Sequence, residues 1–152
     1  NSNNIIIGSG GTARSIILSL IKNNASAIYI LARNPASTYA LLNDFSLIKN
    51  TTKLNVLSNE STLNNCNLIN CTPIGMLQKT NIDILELIPL INYNSVIDIN
   101  YNTFHDYFNF KTQRKINGKN MFIFQALKAL DIWFESNISD KLSYKELEEI
   151  IC

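Results

Sequence analysis

The sequence predicts an α/β fold in three layers, with a doubly wound parallel sheet between two layers of helices. Short apolar runs, at 5–7 and 27–31 for example, have the length and composition of strands that are buried on both faces. Segments with a helical spacing of apolar residues separate these runs, as in successive β-α-β units. With 152 residues, 46% of them hydrophobic, the chain is long enough for one domain with its own core.

The first strand ends at a glycine turn. The residues at 8–13, G-S-G-G-T-A, have the G-x-G-x-x-A form of a dinucleotide-binding turn, which makes the predicted sheet Rossmann-like. In such a turn Gly8 makes the bend, Gly10 lets a pyrophosphate approach the backbone, and Ala13 keeps the helix close to the strand. The N–H groups and the dipole of that helix then face the phosphates. Glycine-rich turns also serve as plain connectors, so the motif alone leaves both interpretations open.

The second strand indicates which dinucleotide would bind. A helix over about 12–23 leads to a strand at 27–31, after which the chain reads Ala32-Arg33-Asn34. Sites that prefer NAD place an acidic residue here, whereas the Arg33 guanidinium can bind a 2′-phosphate through charge-assisted hydrogen bonds. The sequence therefore predicts NADP. Arg33 could instead be a solvated cation at a strand end, and Arg14 could equally be a surface residue of the first helix.

The next elements lead to a second turn at the same edge of the sheet. Asn34 is a predicted N-cap, and a helix runs from Pro35 to about residue 47. Strands follow near 54–57 and at 67–71, separated by a polar loop with a helical turn. The turn at 72–76, which Pro73 and Gly75 fix, lies where the ribose of a nicotinamide would come.

The remaining elements predicted from the residues alone are helical except for one short strand. A helix is predicted at about 104–110, a short strand at 115–116 and a helix over 120–135. A capping box at Ser143 and Glu146 opens a final helix, which takes in most of 143–152. Leu142, Leu147 and Ile150, with Ile151, would leave an apolar stripe that allows a homodimer to form.

Composition excludes several classes of partner. The net charge is +1 with scattered charges, so nothing indicates binding to nucleic acid or to an acidic membrane. No apolar run reaches the length of a membrane span and no signal peptide opens the chain, so we expect a cytoplasmic protein. The three cysteines lack a C-x-x-C spacing and predict reduced thiols rather than a metal site. Because Asn1 is not a methionine and the first strand follows almost at once, we expect a fragment of a longer protein.

Four motifs, in fixed order, resemble the shikimate dehydrogenase family. G-S-G-G-T-A-R at 8–14 resembles the family's G-A-G-G-A-x-R loop, and N-C-T-P-I-G-M at 70–76 resembles its N-A-T-P-x-G-M turn. V-I-D-I-N-Y-N at 96–102 is similar to the fifth strand of the family, which ends in D-x-x-Y-N-P. The fourth motif, with Gly118, Met121 and Gln125, is similar to the family's D-G-x-x-M-L-x-x-Q helix start.

The resemblance implies an oxidoreductase that interconverts 3-dehydroshikimate and shikimate with NADPH, in the biosynthesis of aromatic amino acids. It makes 1–152 the C-terminal NADP-binding domain. Cofactor contacts are implied at Gly8, Ser9, Gly10, Gly11 and Thr12 for the phosphates, at Arg33 and Asn34 for the adenosine 2′-phosphate, and at Thr72, Ile99 and Gly118 for the nicotinamide half. Tyr101 and Gln125 would contact the substrate, although a strand-end tyrosine and a helical glutamine also occur as packing and solvated residues.

The chain departs from the family pattern in several respects, among them Thr103 in place of the proline of Y-N-P and a short segment between Tyr101 and Gly118. Ala32 stands where the family usually has asparagine, and Ser37 where it often has a second arginine, which leaves Arg33 more of the 2′-phosphate to bind. The family's general acid–base pair, a lysine and an aspartate, belongs to an upstream substrate domain toward which the final helix packs. His105, the one histidine, lies in a polar stretch with no evident partner. We therefore expect no catalytic residue in this chain, and cofactor binding without efficient turnover.

Two alternatives stay open. The chain could be a stand-alone, non-catalytic module that binds or senses NADP(H), and the upstream reading frame would distinguish this from half of an enzyme. It could also be half of a related quinate-oxidising enzyme that prefers NAD.

Overall fold

A computed structural model describes residues 2–48, 51–58, 61, 63–76, 83–101 and 107–150 of the chain. The sheet and helices follow one another in the order β1 (Asn3–Ile7), α1 (Gly11–Lys22), β2 (Ala27–Leu31), α2 (Pro35–Ser46), β3 (Lys53–Val56), β4 (Cys66–Asn70), β5 (Tyr93–Asp98), β6 (Thr112–Asn117), α3 (Lys119–Trp133) and α4 (Tyr144–Ile150). Two short 3-10 helices, Asp83–Leu87 and Ser139–Lys141, precede β5 and α4.

The six strands form one parallel sheet in the order β3-β2-β1-β4-β5-β6. The order reverses between β1 and β4, where Ile7 is level with Leu31 on one side and with Asn70 on the other. This arrangement confirms the predicted Rossmann-like parallel sheet. Ligands of such sheets bind beyond the carboxyl ends of the strands, at the point of reversal.

Alternate residues of β1 enter two separate cores, as expected of a strand covered on both sides. Ile6 packs with Ala13 and Ile17 of α1 and with Leu41 of α2 on one face. The opposite face holds Ile5 and Ile7 in a second cluster, which includes the fully buried Phe108. The continuous isoleucine run therefore reflects burial on both faces of the sheet.

The predicted helix over 104–110 is wrong in its described part. Residues 107–110 have no regular secondary structure, and 104–106 lie outside the described residues. Phe108 and Phe110 are two residues apart, yet both side chains pack into the same core, with ring centroids 6.2 Å apart. A helix would turn two such residues away from each other, so packing of both rings against one core favours an irregular backbone.

The fifth strand begins at Tyr93, three residues before the motif at 96–102 that resembles the family's fifth strand. The Tyr93 N–H donates to the Lys111 carbonyl over 2.9 Å, and its hydroxyl donates to the Pro89 carbonyl over 2.5 Å. Tyr93 is 1% exposed and belongs to the same core as Phe108. The pairing of Tyr93 with the chain just before β6 extends the two strands beyond the segments indicated by the sequence.

The last two helices pack on each other and leave apolar side chains exposed. The Phe124 and Tyr144 rings stack with centroids 5.3 Å apart, and the Tyr144 hydroxyl donates to Asn120. Trp133, at the end of α3, is 75% exposed, and Ile150 is 77% exposed.

Among the residues that the structure describes, no helix combines the length and apolar character needed to cross a membrane.

The start of α3 touches the end of β5 through a glycine. The Gly118 N–H donates to the Asn100 carbonyl over 3.2 Å, and Gly118 is the N-cap of α3. A Cβ built on Gly118 would lie 1.6 Å from the Ile99 carbonyl oxygen. The space between the two backbones therefore admits no side chain, and glycine is required here for steric reasons.

Replacing Gly118 with alanine should destabilise the fold by about 3 kcal/mol or more, because one of the two backbones must move. Chemical denaturation followed by circular dichroism measures this. Gly11→Ala is the matched control, since a Cβ on Gly11 would have no neighbour within 4 Å. Its unfolding midpoint should stay the same or rise, because alanine is the better helix residue. Equal losses in both variants would contradict the steric explanation.

Candidate functional site

The turn between β1 and α1 is closed on its inner side and open on its outer side. Gly8 has a φ of +112°, and a Cβ on it would come within 3.1 Å of both the Cys71 carbonyl oxygen and the Thr72 Cγ2. A Cβ on Gly10 or Gly11 would meet no atom within 4 Å. Gly10 is the N-cap of α1, and no side chain caps the helix. The first N–H groups of α1 therefore face a space large enough for an anionic group.

A cleft of about 1050 Å³ adjoins this turn. Its lining comes from α1, from the turn after β4, from the end of β5 and from α3. It includes six residues predicted from the sequence: Gly11, Thr12, Thr72, Ile99, Tyr101 and Gln125. Residues that are more than one hundred positions apart in the chain thus meet at one edge of the sheet.

The other predicted residues lie outside that lining. Gly8, Ser9 and Gly10 form the turn that leads into α1, and Gly118 is buried at the start of α3. Arg33 and Asn34 follow β2, the strand beside β1. Among the described residues, Arg33 makes no ion pair, and it is exposed.

A hydroxyl pair joins the glycine turn to the start of α2. The Ser9 and Ser37 Oγ atoms are 2.9 Å apart, and the Ser37 hydroxyl donates to the Asn34 carbonyl over 2.7 Å. Because Ser37 has a single hydroxyl proton, Ser9 must be the donor of the first bond. Asn34 also caps α2, since its Oδ1 accepts from the Ala36 N–H over 2.9 Å. These bonds fix the segment that carries Arg33 relative to the glycine turn.

Arg14 forms an ion pair with Asp44. Its Nη1 lies 2.6 Å from Asp44 Oδ2, and both side chains are about half exposed. The pair joins α1 to α2 on the protein surface. This geometry favours the surface interpretation of Arg14 over a role in the cleft.

The carboxyl ends of β4 and β5 are held together by polar side chains. Asn70 is fully buried, and its Oδ1 accepts from the Thr72 N–H over 2.9 Å and from the Thr72 hydroxyl over 2.6 Å. Its Nδ2 donates to Asp98 Oδ1 over 2.9 Å. The first turn of chain after β4 is therefore fixed to the end of β5.

The α3 side of the cleft follows a helical spacing. Met121, Gln125 and Lys128 lie on one face of α3, and all three line the cleft. Tyr101 is 41% exposed, and its ring stacks on Phe122 with centroids 4.2 Å apart and 26° between the planes. Sequence reasoning missed Lys128, although its spacing from Gln125 could have indicated it.

Two serines of α1 were missed in the same way. Ser15 and Ser19 line the cleft and lie three and seven residues after Thr12. This spacing places them on the same side of the helix as Thr12. Within the described residues, no group of three or more His, Cys, Asp or Glu side chains could hold a metal ion.

The strand order and the glycine turn at its point of reversal define a Rossmann-like domain. A curated shikimate dehydrogenase (NADP(+)) from Prochlorococcus marinus is 34% identical over 148 residues, covering 88% of this chain and 51% of the relative. Its counterpart from Clostridium beijerinckii is 28% identical over 143 residues, covering 91% of this chain and 51% of the relative. The chain belongs to the shikimate dehydrogenase family and corresponds to the C-terminal part of its members.

Solved structures show the same fold. Shikimate 5-dehydrogenase from Listeria monocytogenes, in complex with shikimate and NAD, aligns with a TM-score of 0.66 at 19% identity, over 99% of this chain and 56% of that protein. No protein-family model matches the chain. The chain spans about half the length of the curated relatives it matches.

Cys71, in the cleft lining, is held in its neutral form. Burial and, to a smaller extent, the Asp98 carboxylate raise the pKa of Cys71 from 9.0 to about 12. The stability that this shift contributes is complete below pH 9.0 and is lost as the pH rises toward about 12, because only the unfolded thiol ionises in that range.

The free energy of unfolding should therefore fall more steeply with pH in the wild-type chain than in Cys71→Ala. From about pH 8 to about pH 10.5, we expect an extra loss of about 2 kcal/mol in the wild type. Urea titrations at both pH values measure this difference. Comparing the change with pH within each protein removes the constant packing cost of the substitution. Parallel pH profiles would contradict the predicted shift.

Proposed function

We propose that this chain is the NADP-binding half of a shikimate dehydrogenase, which interconverts 3-dehydroshikimate and shikimate with NADPH. The observation that carries the proposal is the single cleft into which the open glycine turn, the Thr72 turn and the end of β5 converge. Family membership supports the substrate, since the curated relatives are named shikimate dehydrogenases. The proposal includes the cytoplasmic location that the sequence predicts.

The proposed contacts run in one direction along the edge of the sheet. Arg33 and Asn34, after β2, take the adenosine 2′-phosphate, and the turn from Gly8 to Thr12 takes the pyrophosphate. Thr72, after β4, and Ile99, after β5, with Gly118 behind them, take the nicotinamide half. This order of contacts follows the order of neighbouring strands, β2-β1-β4-β5.

The open side of the glycine turn fits a dinucleotide. A pyrophosphate needs backbone N–H groups free of side chains, and the positions of Gly10 and Gly11 provide this. When bound, NADPH supplies the hydride for reduction of a ketone. The chain's own residues bind and orient the two reactants, with Tyr101 and Gln125 proposed to contact the substrate from the α3 side of the cleft.

A ketone reduction also needs a proton donor within hydrogen-bond reach of the carbonyl oxygen. We propose that this donor lies in a substrate domain outside this chain, toward which α4 and its neighbouring apolar residues pack. His105, the one histidine in the sequence, lies outside the described residues.

Residues 1–152 alone should therefore bind NADP but show no oxidation of shikimate above background. Absorbance of NADPH in the presence of shikimate and NADP measures turnover, and calorimetry on the same sample confirms that the cofactor binds. If the chain alone shows steady turnover and Tyr101→Phe abolishes it, a catalytic group lies in this chain. That result would overturn the proposal that the proton donor lies in a separate substrate domain.

NADP should bind at least roughly tenfold more tightly than NAD, because the Arg33 guanidinium adds charge-assisted hydrogen bonds of about 1.5–3 kcal/mol each. Titration calorimetry with both dinucleotides measures this ratio, and Arg33→Asp should reverse it. NAD is the informative ligand for comparison, since the related Listeria monocytogenes structure contains it.

Arg14→Gln is the matched control for Arg33→Asp, because Arg14 is already paired with Asp44 at 2.6 Å. Arg14→Gln removes a positive charge from the surface between α1 and α2, and it should leave the ratio of the NADP and NAD affinities unchanged. Equal affinities of the wild type for NADP and NAD would contradict recognition of the 2′-phosphate by this chain. If Arg33→Asp leaves the ratio of the NADP and NAD affinities unchanged, Arg33 does not bind the 2′-phosphate.

A further inference from the structure

Asn100, which follows β5, makes two hydrogen bonds to the turn after β4. Its Nδ2 donates to the Thr72 carbonyl over 2.9 Å and to the Ile74 carbonyl over 3.0 Å. The side chain is 5% exposed, so both bonds are shielded from water. Both amide hydrogens of Asn100 are used, one at each end of the segment Thr72-Pro73-Ile74.

Few local hydrogen bonds hold that segment, apart from the one that the Met76 N–H donates to the Pro73 carbonyl over 3.0 Å. Pro73 has no N–H, so it cannot donate a hydrogen bond within the turn. The Ile74 N–H donates to Thr72 Oγ1 over a long 3.3 Å. Because Thr72 and Pro73 line the cleft, the amide of Asn100 is a main determinant of where this wall lies.

The two bonds complete a closed ring of hydrogen bonds. The Asn100 N–H donates to Asp98 Oδ1 over 3.1 Å, and Asn70 Nδ2 donates to the same oxygen over 2.9 Å. Asn70 in turn accepts both bonds from Thr72, which Asn100 holds from the other side. Asn100 and its neighbours Ile99 and Tyr101 all line the same cleft. One side chain thus fixes the distance between two walls of the cleft.

We propose that Asn100 is a positioning residue for the end of the cleft formed by Thr72 and Ile99. The inference rests on the proposed function, which places the nicotinamide half of the cofactor at this end. Asn100 belongs to the lining but is only 5% exposed, and both its amide hydrogens are bound to carbonyls of the wall, so it acts on the cofactor through Thr72 and Pro73. Its loss should weaken binding of the nicotinamide half and leave binding of the adenosine half unchanged.

Two ligands separate these halves. NADP spans the whole cleft, whereas adenosine 2′,5′-bisphosphate has only the groups assigned to Arg33, Asn34 and the glycine turn. In Asn100→Leu, which has a similar volume and no donors, two buried carbonyls lose their partners. We expect its affinity for NADP to fall roughly tenfold, and its affinity for the bisphosphate to stay within about twofold. Titration calorimetry measures both.

Asn4→Leu is the matched control. Asn4 is 1% exposed, and its Oδ1 accepts from Asn67 Nδ2 over 2.9 Å. It lies near the amino end of β1, at the opposite edge of the sheet from the cleft. This variant should lose stability to a similar extent while the ratio of the two affinities stays at the wild-type value.

Asn100→Gln provides a second test if Asn100→Leu does not fold. Glutamine keeps both donors on a stem one methylene longer, so it should fold and give a ratio between those of wild type and leucine. Equal weakening of both ligands, or no change in either, would overturn the positioning role while leaving the proposed function intact. A wild-type chain that binds neither ligand would instead overturn the proposed function, and this inference with it.

Discussion

The contact between Gly118 and the end of β5 is the constraint on which the site depends most. The two backbones approach so closely that a single methyl group would overlap the Ile99 carbonyl. Since α3 starts at this contact, it fixes the direction in which Met121 and Gln125 face the glycine turn. The cleft exists because a helix can begin directly against a strand end, and only glycine allows this.

Polar side chains buried at the ends of β4 and β5 complete that arrangement. A buried amide or carboxylate is costly unless its hydrogen-bonding groups are satisfied, and a satisfied network rigidifies what it joins. Within the network, Asn70 donates through Nδ2 and accepts through Oδ1, and Asn100 donates through Nδ2 and through its backbone N–H. The apolar sheet thus ends in a rigid polar frame on the side where a ligand would bind.

The elements set by local sequence were predictable, and those set by distant contacts were not. The strand at 27–31 and the cap at Asn34 follow from an apolar run and a polar side chain before a proline, and both are confirmed. The irregular chain at 107–110 depends on burial of Phe108 in a core formed by other strands. In the same way, motifs indicated Thr72 and Ile99, whereas the bonds of Asn100 cross 28 and 26 positions and follow only from the folded chain. The roles of these residues toward a cofactor stay predictions.

Trp133 gives the chain a built-in optical reporter. It is the one tryptophan in the sequence, it ends α3, and it is 75% exposed, outside the lining of the cleft. Its indole therefore emits from water, and a small molecule in the cleft leaves that environment as it is. A protein surface laid over the end of α3 would instead shield the indole and shift its emission toward the blue. Fluorescence of the unlabelled chain can thus distinguish an event at one end of this helix from an event at the other.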